Sequence, residues 1–233
     1  MTQNEIFKTL INILRSEALR TDMEFKPASA STVIIEALRK TELKYVGVGM
    51  YSVVVEHDAH PGRVFKVSTS RWDGYREYAK YCIAHVGEPL IPIIYSAGEK
   101  GNFAWYELEK YYPVTKPELT RSGMVQFTTD IIRNMVKIVT DAQYSYGVDN
   151  NYLKLNMKPV NIHPRRHYQD LKNIHSSTKD ILETFKHKFR FDLHWGNIMQ
   201  TVDEKIIITD PLANDFRREI PVTEADPCEE DFV

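Results

Sequence analysis

Cysteine is nearly absent: Cys82 and Cys228 are the only two in 233 residues. That excludes a disulfide framework, and a reduced compartment is expected, with Cys82 a small core residue and Cys228 a tail thiol. Long apolar runs are missing too. None approaches the roughly 18 residues of a membrane span. The first residues, MTQNEIFKTLINIL, lack a secretory signal's basic start and carry Asn4, Glu5 and Lys8 among their apolar positions. No membrane association is expected. Neither sign of charge dominates. The formal net charge is −2, without a basic arm, so direct nucleic-acid binding is not expected. His163, His167 and His175 have neither HExxH nor zinc-finger spacing. What remains, 42% hydrophobic and 27% charged residues, is an ordinary globular mix. The length suits one large domain or two small lobes.

Read in order, the chain starts with a helix over 2–19. Thr2 and Glu5 form a capping-box pair, and Ile6, Leu10, Ile13 and Leu14 share a face. Pro27 breaks the chain, and Ser31 or Thr32 caps a second helix to Leu38. Both helices are expected to brace or cover the lobe that follows. Lys44–Val55 reads as strand, glycine turn, strand; residues 63–67 are a strand and 73–86 a helix. Ile93–Tyr95 and Phe103–Leu108 flank a Gly101-Asn102 turn. An antiparallel sheet of about five strands with one inserted helix is expected. After Tyr111 the pattern turns helical, at 122–143 and 168–188, around a Gly/Pro/Asn-marked loop at 144–166. The closing residues, REIPVTEADPCEEDFV, read as an acidic, loosely attached tail. The boundaries expected are 1–40 for a helical extension, 41–110 for the β lobe, 111–215 for the helical lobe and 216–233 for the tail.

The chemistry concentrates in FRFDLHWGNIMQTVDEKIIITDP, residues 189–211. Ile206–Ile208 is a buried-strand run, Val202–Lys205 a polar turn, and Ile198-Met199 the strand before it. Such a hairpin brings Asp192, Asn197 and Asp210 to one end of a small sheet. An all-oxygen donor set suits Mg²⁺ better than zinc or copper. Asn197 and Asp210 are the candidate metal ligands. Asp192 is the spare carboxylate, the candidate base that orients an attacking hydroxyl. His194 is expected to brace this loop, and Trp195 to pack or touch substrate.

The β lobe supplies complementary groups. Gly47-Val48-Gly49-Met50-Tyr51-Ser52 lies between two strands, where missing Cβ atoms let backbone amides approach a triphosphate; Gly47, Val48, Gly49 and Ser52 are the candidate contacts. No GK[ST] follows, so this is not a P-loop. Lys66, one strand on, can offset phosphate charge. Glu77, on the next helix, is placed to pair with Lys66.

Together these pieces resemble a protein-kinase-like phosphotransferase: GVGMYS between strands, VFKV, a helix with Glu77, WYELE at 105–109, then Asp192, Asn197 and a strand-ending Asp210. The loop FDLHWGNIM is closer to the DLHxGN form of aminoglycoside- and choline-type phosphotransferases than to HRDLxxxN. GVGMYSVVVEHDAHPGRVFKV and FDLHWGNIM…IITDP resemble the early serine/threonine protein kinases of T-seven-like bacteriophages. The resemblance implies an α+β, bilobal kinase-like fold with a reduced, mainly helical C-lobe. It implies ATP and Mg²⁺ as cofactors, with backbone groups at Glu107 to Glu109 holding the adenine. It also implies bacterial host proteins as substrates, transcription and RNA-processing machinery among them, in the infected cell's cytoplasm. Asp210-Pro211-Leu212 stands where regulated kinases have DFG. Two rival readings share these residues: a small-molecule phosphotransferase, and a catalytically inert kinase-fold inhibitor of a host protein.

Overall fold

The computed structural model describes residues 1–18, 26–113, 166–185, 189–192, 195–203 and 205–215. The helix expected at 122–143, the loop before 166 and the tail at 216–233 lie outside the described residues. The chain divides into two compact units, one built on Met1–Ile83 and Ile93–Lys110, the other on Ala84–Pro92 and residues after Lys110.

In the first unit, α1 runs Gln3–Ala18 and α2 Ser31–Leu38, the latter after a 3-10 turn at Pro27–Ala30. The capping box forms: the Thr2 N–H donates to Glu5 Oε2 at 2.7 Å, and the Glu5 N–H returns to Thr2 Oγ1 at 3.4 Å. The same backbone bond from Thr2 lowers the Glu5 pKa. At α2 the N-cap is Ala30, with no side-chain cap, rather than Ser31 or Thr32, because the preceding 3-10 turn already leads the chain into the helix.

Five strands follow: β1 (Lys44–Val48), β2 (Ser52–Glu56), β3 (Arg63–Ser68), β4 (Ile94–Lys100) and β5 (Phe103–Glu109), with α3 (Tyr75–Ala84) between β3 and β4. They pair antiparallel in the order β1-β2-β3-β5-β4. Strand alternation gives the sheet two faces. Val53, Val55, Phe65 and Val67 form one, packed in a single core with Ile6, Phe7, Leu10, Ile11 and Leu14 of α1 and Ile34 and Leu38 of α2. The expected face of Ile6, Leu10 and Leu14 is buried and is widened by Phe7 and Ile11, while Ile13 sits half-buried at its margin. Phe7 meets Phe65 edge-on at 5.5 Å and Trp105 at 6.3 Å. The N-terminal helices are therefore a brace on this face. Lys66, cross-strand from Val54 and Tyr106, alternates to the other face.

The second unit contains α4 (Arg166–Phe185), β6 (Tyr112–Pro113), β7 (Phe189–Phe191), β8 (Ile198–Gln200), β9 (Ile206–Ile208) and β10 (Leu212–Asp215). β6, β8 and β9 form one sheet, and β7 pairs with β10. The expected hairpin is present, with Ile198 opposite Ile208 and Gln200 opposite Ile206. Its turn is closed by Thr201 N–H to Lys205 C=O at 2.9 Å and by Thr201 Oγ1 to Asp203 at 2.6 Å. No helix among the described residues is long and apolar enough to cross a membrane. The architecture is α+β, led by an antiparallel sheet as expected.

Candidate active site

In the second unit, two strand pairs end where the chemistry lies. Asp192 follows β7, Asn197 closes a 3-10 turn (Trp195–Asn197) ahead of β8, and Asp210 sits between β9 and β10. Backbone bonds tie these ends together. The Asp192 N–H donates to Pro211 C=O at 2.8 Å. Asn197 Nδ2 donates to Asp192 C=O at 2.6 Å. Asn197 C=O accepts from the Thr209 N–H at 2.8 Å and the Thr209 hydroxyl at 3.1 Å. Asp192, Asn197 and the two residues flanking Asp210 thus belong to one hydrogen-bonded knot.

The knot also sorts the polar atoms. With its Nδ2 bound to the Asp192 carbonyl, Asn197 keeps Oδ1 as an acceptor, the atom a hard cation uses. Asp192 is exposed, so its carboxylate can meet an incoming hydroxyl. The Asp210 carboxylate and the Asn197 amide oxygen are hard donors that fit Mg²⁺ chemically. Among the described residues no group of three His, Cys, Asp or Glu side chains could hold a metal. His194 lies outside the described residues. Thr209 was not singled out from the sequence; it acts through its backbone N–H and its hydroxyl, which leave no charge pattern to read.

In the first unit, the glycine turn is tight: the Gly49 N–H donates to Ser52 C=O at 2.8 Å. Thr69 clamps it from behind, its N–H and hydroxyl reaching Tyr51 C=O at 2.7 and 3.1 Å. Neither Gly47 nor Gly49 has positive φ, so only space can require a glycine there. A Cβ on Gly49 would press on Ser52 Oγ at 3.0 Å, whereas one on Gly47 would meet nothing within 4 Å. Val48 pairs with Val53 at the mouth of the turn.

Lys66 is 7% exposed, and its ammonium lies 3.2 Å from the centroid of the Tyr75 ring. Glu77, its expected partner, faces solvent and pairs with Lys80 at 2.7 Å. The reason is helical phase: Tyr75, Tyr78, Ala79 and Cys82 fill the buried side of α3, leaving Glu77 and Lys80 on the other. Tyr75 went unrecognised because an aromatic in a first turn reads as core.

WYELE forms the end of β5, an interior strand between β3 and β4, and this segment of the first unit ends one residue later, at Lys110. Glu107 is buried and ion-paired to Arg63, accepting also from Ser96 Oγ at 3.4 Å. Its cross-strand partner is Phe65, which places it on the brace face rather than with Lys66. The Glu109 N–H donates to Ile93 C=O at 3.1 Å. The Glu107 side chain is thus a structural anchor: it raises the Arg63 pKa through their hydrogen bond, and Arg63 lies 4.1 Å over the Tyr95 ring.

The family comparison agrees with a phosphotransferase. The model of the family described as bacteriophage T7 protein kinase 0.7 matches residues 10–231. Among solved structures, a thermostable mutant of aminoglycoside phosphotransferase APH(4)-Ia, in ternary complex with AMP-PNP and hygromycin B, is 13% identical at a TM-score of 0.36, covering 78% of this chain and 70% of that one. Aminoglycoside phosphotransferase APH(4)-Ia itself is 12% identical at 0.34, covering 79% and 71%. No curated protein matches the chain.

Proposed function

The chain belongs to the bacteriophage T7 protein kinase family, and from that premise we propose that it transfers the γ-phosphoryl group of ATP to serine or threonine hydroxyls of bacterial host proteins, transcription and RNA-processing machinery among them, in the infected cell's cytoplasm. The observation that supports this most is the knot joining Asp192, Asn197 and Asp210 through Thr209 and Pro211. It ties the backbone of Asp192 and Asn197 to the residues flanking Asp210 on loop ends anchored by strands, and phosphoryl transfer depends on positioning more than on covalent chemistry.

Each residue then has a role. Lys66 offsets negative charge on the phosphates. The open space over Gly47 admits a phosphate close to the backbone. Asn197 Oδ1 and the Asp210 carboxylate would hold Mg²⁺, which supplies charge neutralisation on the phosphate oxygens. Asp192 orients the acceptor hydroxyl and takes its proton as the oxygen–phosphorus bond forms. The bond to the β-phosphate oxygen breaks, and ADP leaves.

The test is transfer of label from γ-labelled ATP into bacterial proteins by the wild type and by Asp192→Asn. Loss of a general base should cost about 100-fold or more. Phosphoserine or phosphothreonine should carry the label. Equal labelling by the two forms would remove Asp192 from the chemistry. The DLHxGN form of residues 192–197 favours a second reading, a small-molecule phosphotransferase. An aminoglycoside acceptor labelled while proteins stay unlabelled would decide for it.

A further inference from the structure

Resting on the kinase reading, we propose that Tyr75 is the positioning residue for Lys66, in the role expected of the Glu77 carboxylate. The ammonium sits 3.2 Å from the Tyr75 ring centroid, and both residues are buried, Lys66 at 7% and Tyr75 at 1% exposure. Burial strengthens a cation–π contact by removing competing water. The ring is itself fixed. Tyr106, cross-strand neighbour of Lys66, meets it edge-on at 5.0 Å and 83°. Its backbone N–H donates to Asp73 Oδ1 at 3.1 Å, while Asp73 Oδ2 accepts from the Ser68 hydroxyl at 2.7 Å. Ser68 lies two residues from Lys66 on β3, so the strand carrying the lysine also sets where α3 begins.

The chemical consequence differs from that of an ion pair. A carboxylate would seat the amine and also cancel its charge. A ring face attracts the ammonium through its quadrupole but leaves the full positive charge in place. Tyr75 thus seats Lys66 without competing with the phosphates it is to meet.

The test compares Tyr75→Phe, which keeps the ring face, with Tyr75→Leu, which keeps apolar bulk without a π-system. Thermal melts first establish that each is folded. ATP affinity is measured by calorimetry as well as through KM, and the Lys66 ε-methylene protons are observed in protein carrying ¹³C-labelled lysine. Wild type and Tyr75→Phe should show these protons shifted upfield by the ring. Tyr75→Leu should lose that shift and bind ATP roughly tenfold more weakly, with Tyr75→Phe staying within about threefold of wild type. Unshifted Lys66 protons in the wild type would overturn the proposal. So would unchanged ATP affinity in Tyr75→Leu, or a loss in Glu77→Gln that matches it. Because calorimetry and the proton shifts need no turnover, failure of phosphoryl transfer would sink the kinase reading while leaving the Lys66 seat separately testable.

Discussion

Truncating Phe7 to alanine tests whether α1 is part of the first unit's core. Phe7 is 4% exposed and touches Phe65 at 5.5 Å and Trp105 at 6.3 Å. Burying about 150 Å² of aromatic surface at ~25 cal/mol/Å² contributes about 4 kcal/mol. Measured Phe→Ala losses of about 3–5 kcal/mol, cavity included, give the same size. Ile13, half-buried at the edge of the stripe, should lose only about 1–2 kcal/mol on the same truncation. With a urea slope near 2 kcal/mol/M, Phe7→Ala should lower the unfolding midpoint by about 2 M. Urea titration followed by circular dichroism and tryptophan fluorescence measures this. ATP affinity well below the midpoint should hold, because Lys66 lies on the opposite sheet face. A midpoint within about 0.5 M of wild type would mean that α1 does not pack on the sheet, and the brace assignment would fall.

Gly47→Ala should fold like wild type, since the added methyl meets nothing within 4 Å, yet should weaken ATP binding if phosphates approach there; unchanged affinity by calorimetry would remove Gly47 from the site. Glu107→Gln should cost about 1–3 kcal/mol in a urea titration, because it removes the charge that pairs with Arg63 on a buried strand. Asp203 titrates at about 2, lowered first by its hydrogen bond with Lys205 and then by Thr201. A carboxylate with a depressed folded pKa favours the folded turn above its unfolded pKa and loses that contribution as pH falls through its folded value. Carbon-13 NMR should find this low titration, and Lys205→Met should move it up toward the usual carboxylate range; no movement would dissociate the two residues.

The elements that the sequence made legible are those set by local chemistry. Thr2 and Glu5 announce a helix start because each can satisfy the other's backbone N–H. Ile206–Ile208 reads as a buried strand because three β-branched residues between a polar turn and a proline have few other uses. Asp192, Asn197 and Asp210 follow from that hairpin, since pairing Ile198 with Ile208 leaves little freedom in where the flanking residues lie. Strand order is not local. Nothing within 94–109 says that β5 inserts between β3 and β4, yet that insertion gives Glu107 to Arg63.

The exchange of Glu77 for Tyr75 has a different origin. Successive helical residues are about 100° apart, so two positions in one turn can face opposite environments. Which of them faces the sheet depends on where the helix begins and how it is rotated on the strands. Here the start is set by Asp73 bonded to the Ser68 hydroxyl, a contact from helix cap to neighbouring strand that no periodicity encodes. Once it forms, Tyr75 turns toward β3 and the Glu77–Lys80 pair turns to solvent. A charged pair in sequence order therefore says which groups attract, while the cap decides which of them can meet. Asp73→Ala should accordingly loosen the Tyr75 ring before it disturbs the sheet, and the Lys66 ε-proton shift should shrink while the urea midpoint moves by only about 0.5 M, the cost of about 1 kcal/mol for a lost cap. Full retention of that shift would show that the Tyr106 edge alone holds the ring, and that the Ser68–Asp73 contact plays no part in seating the lysine.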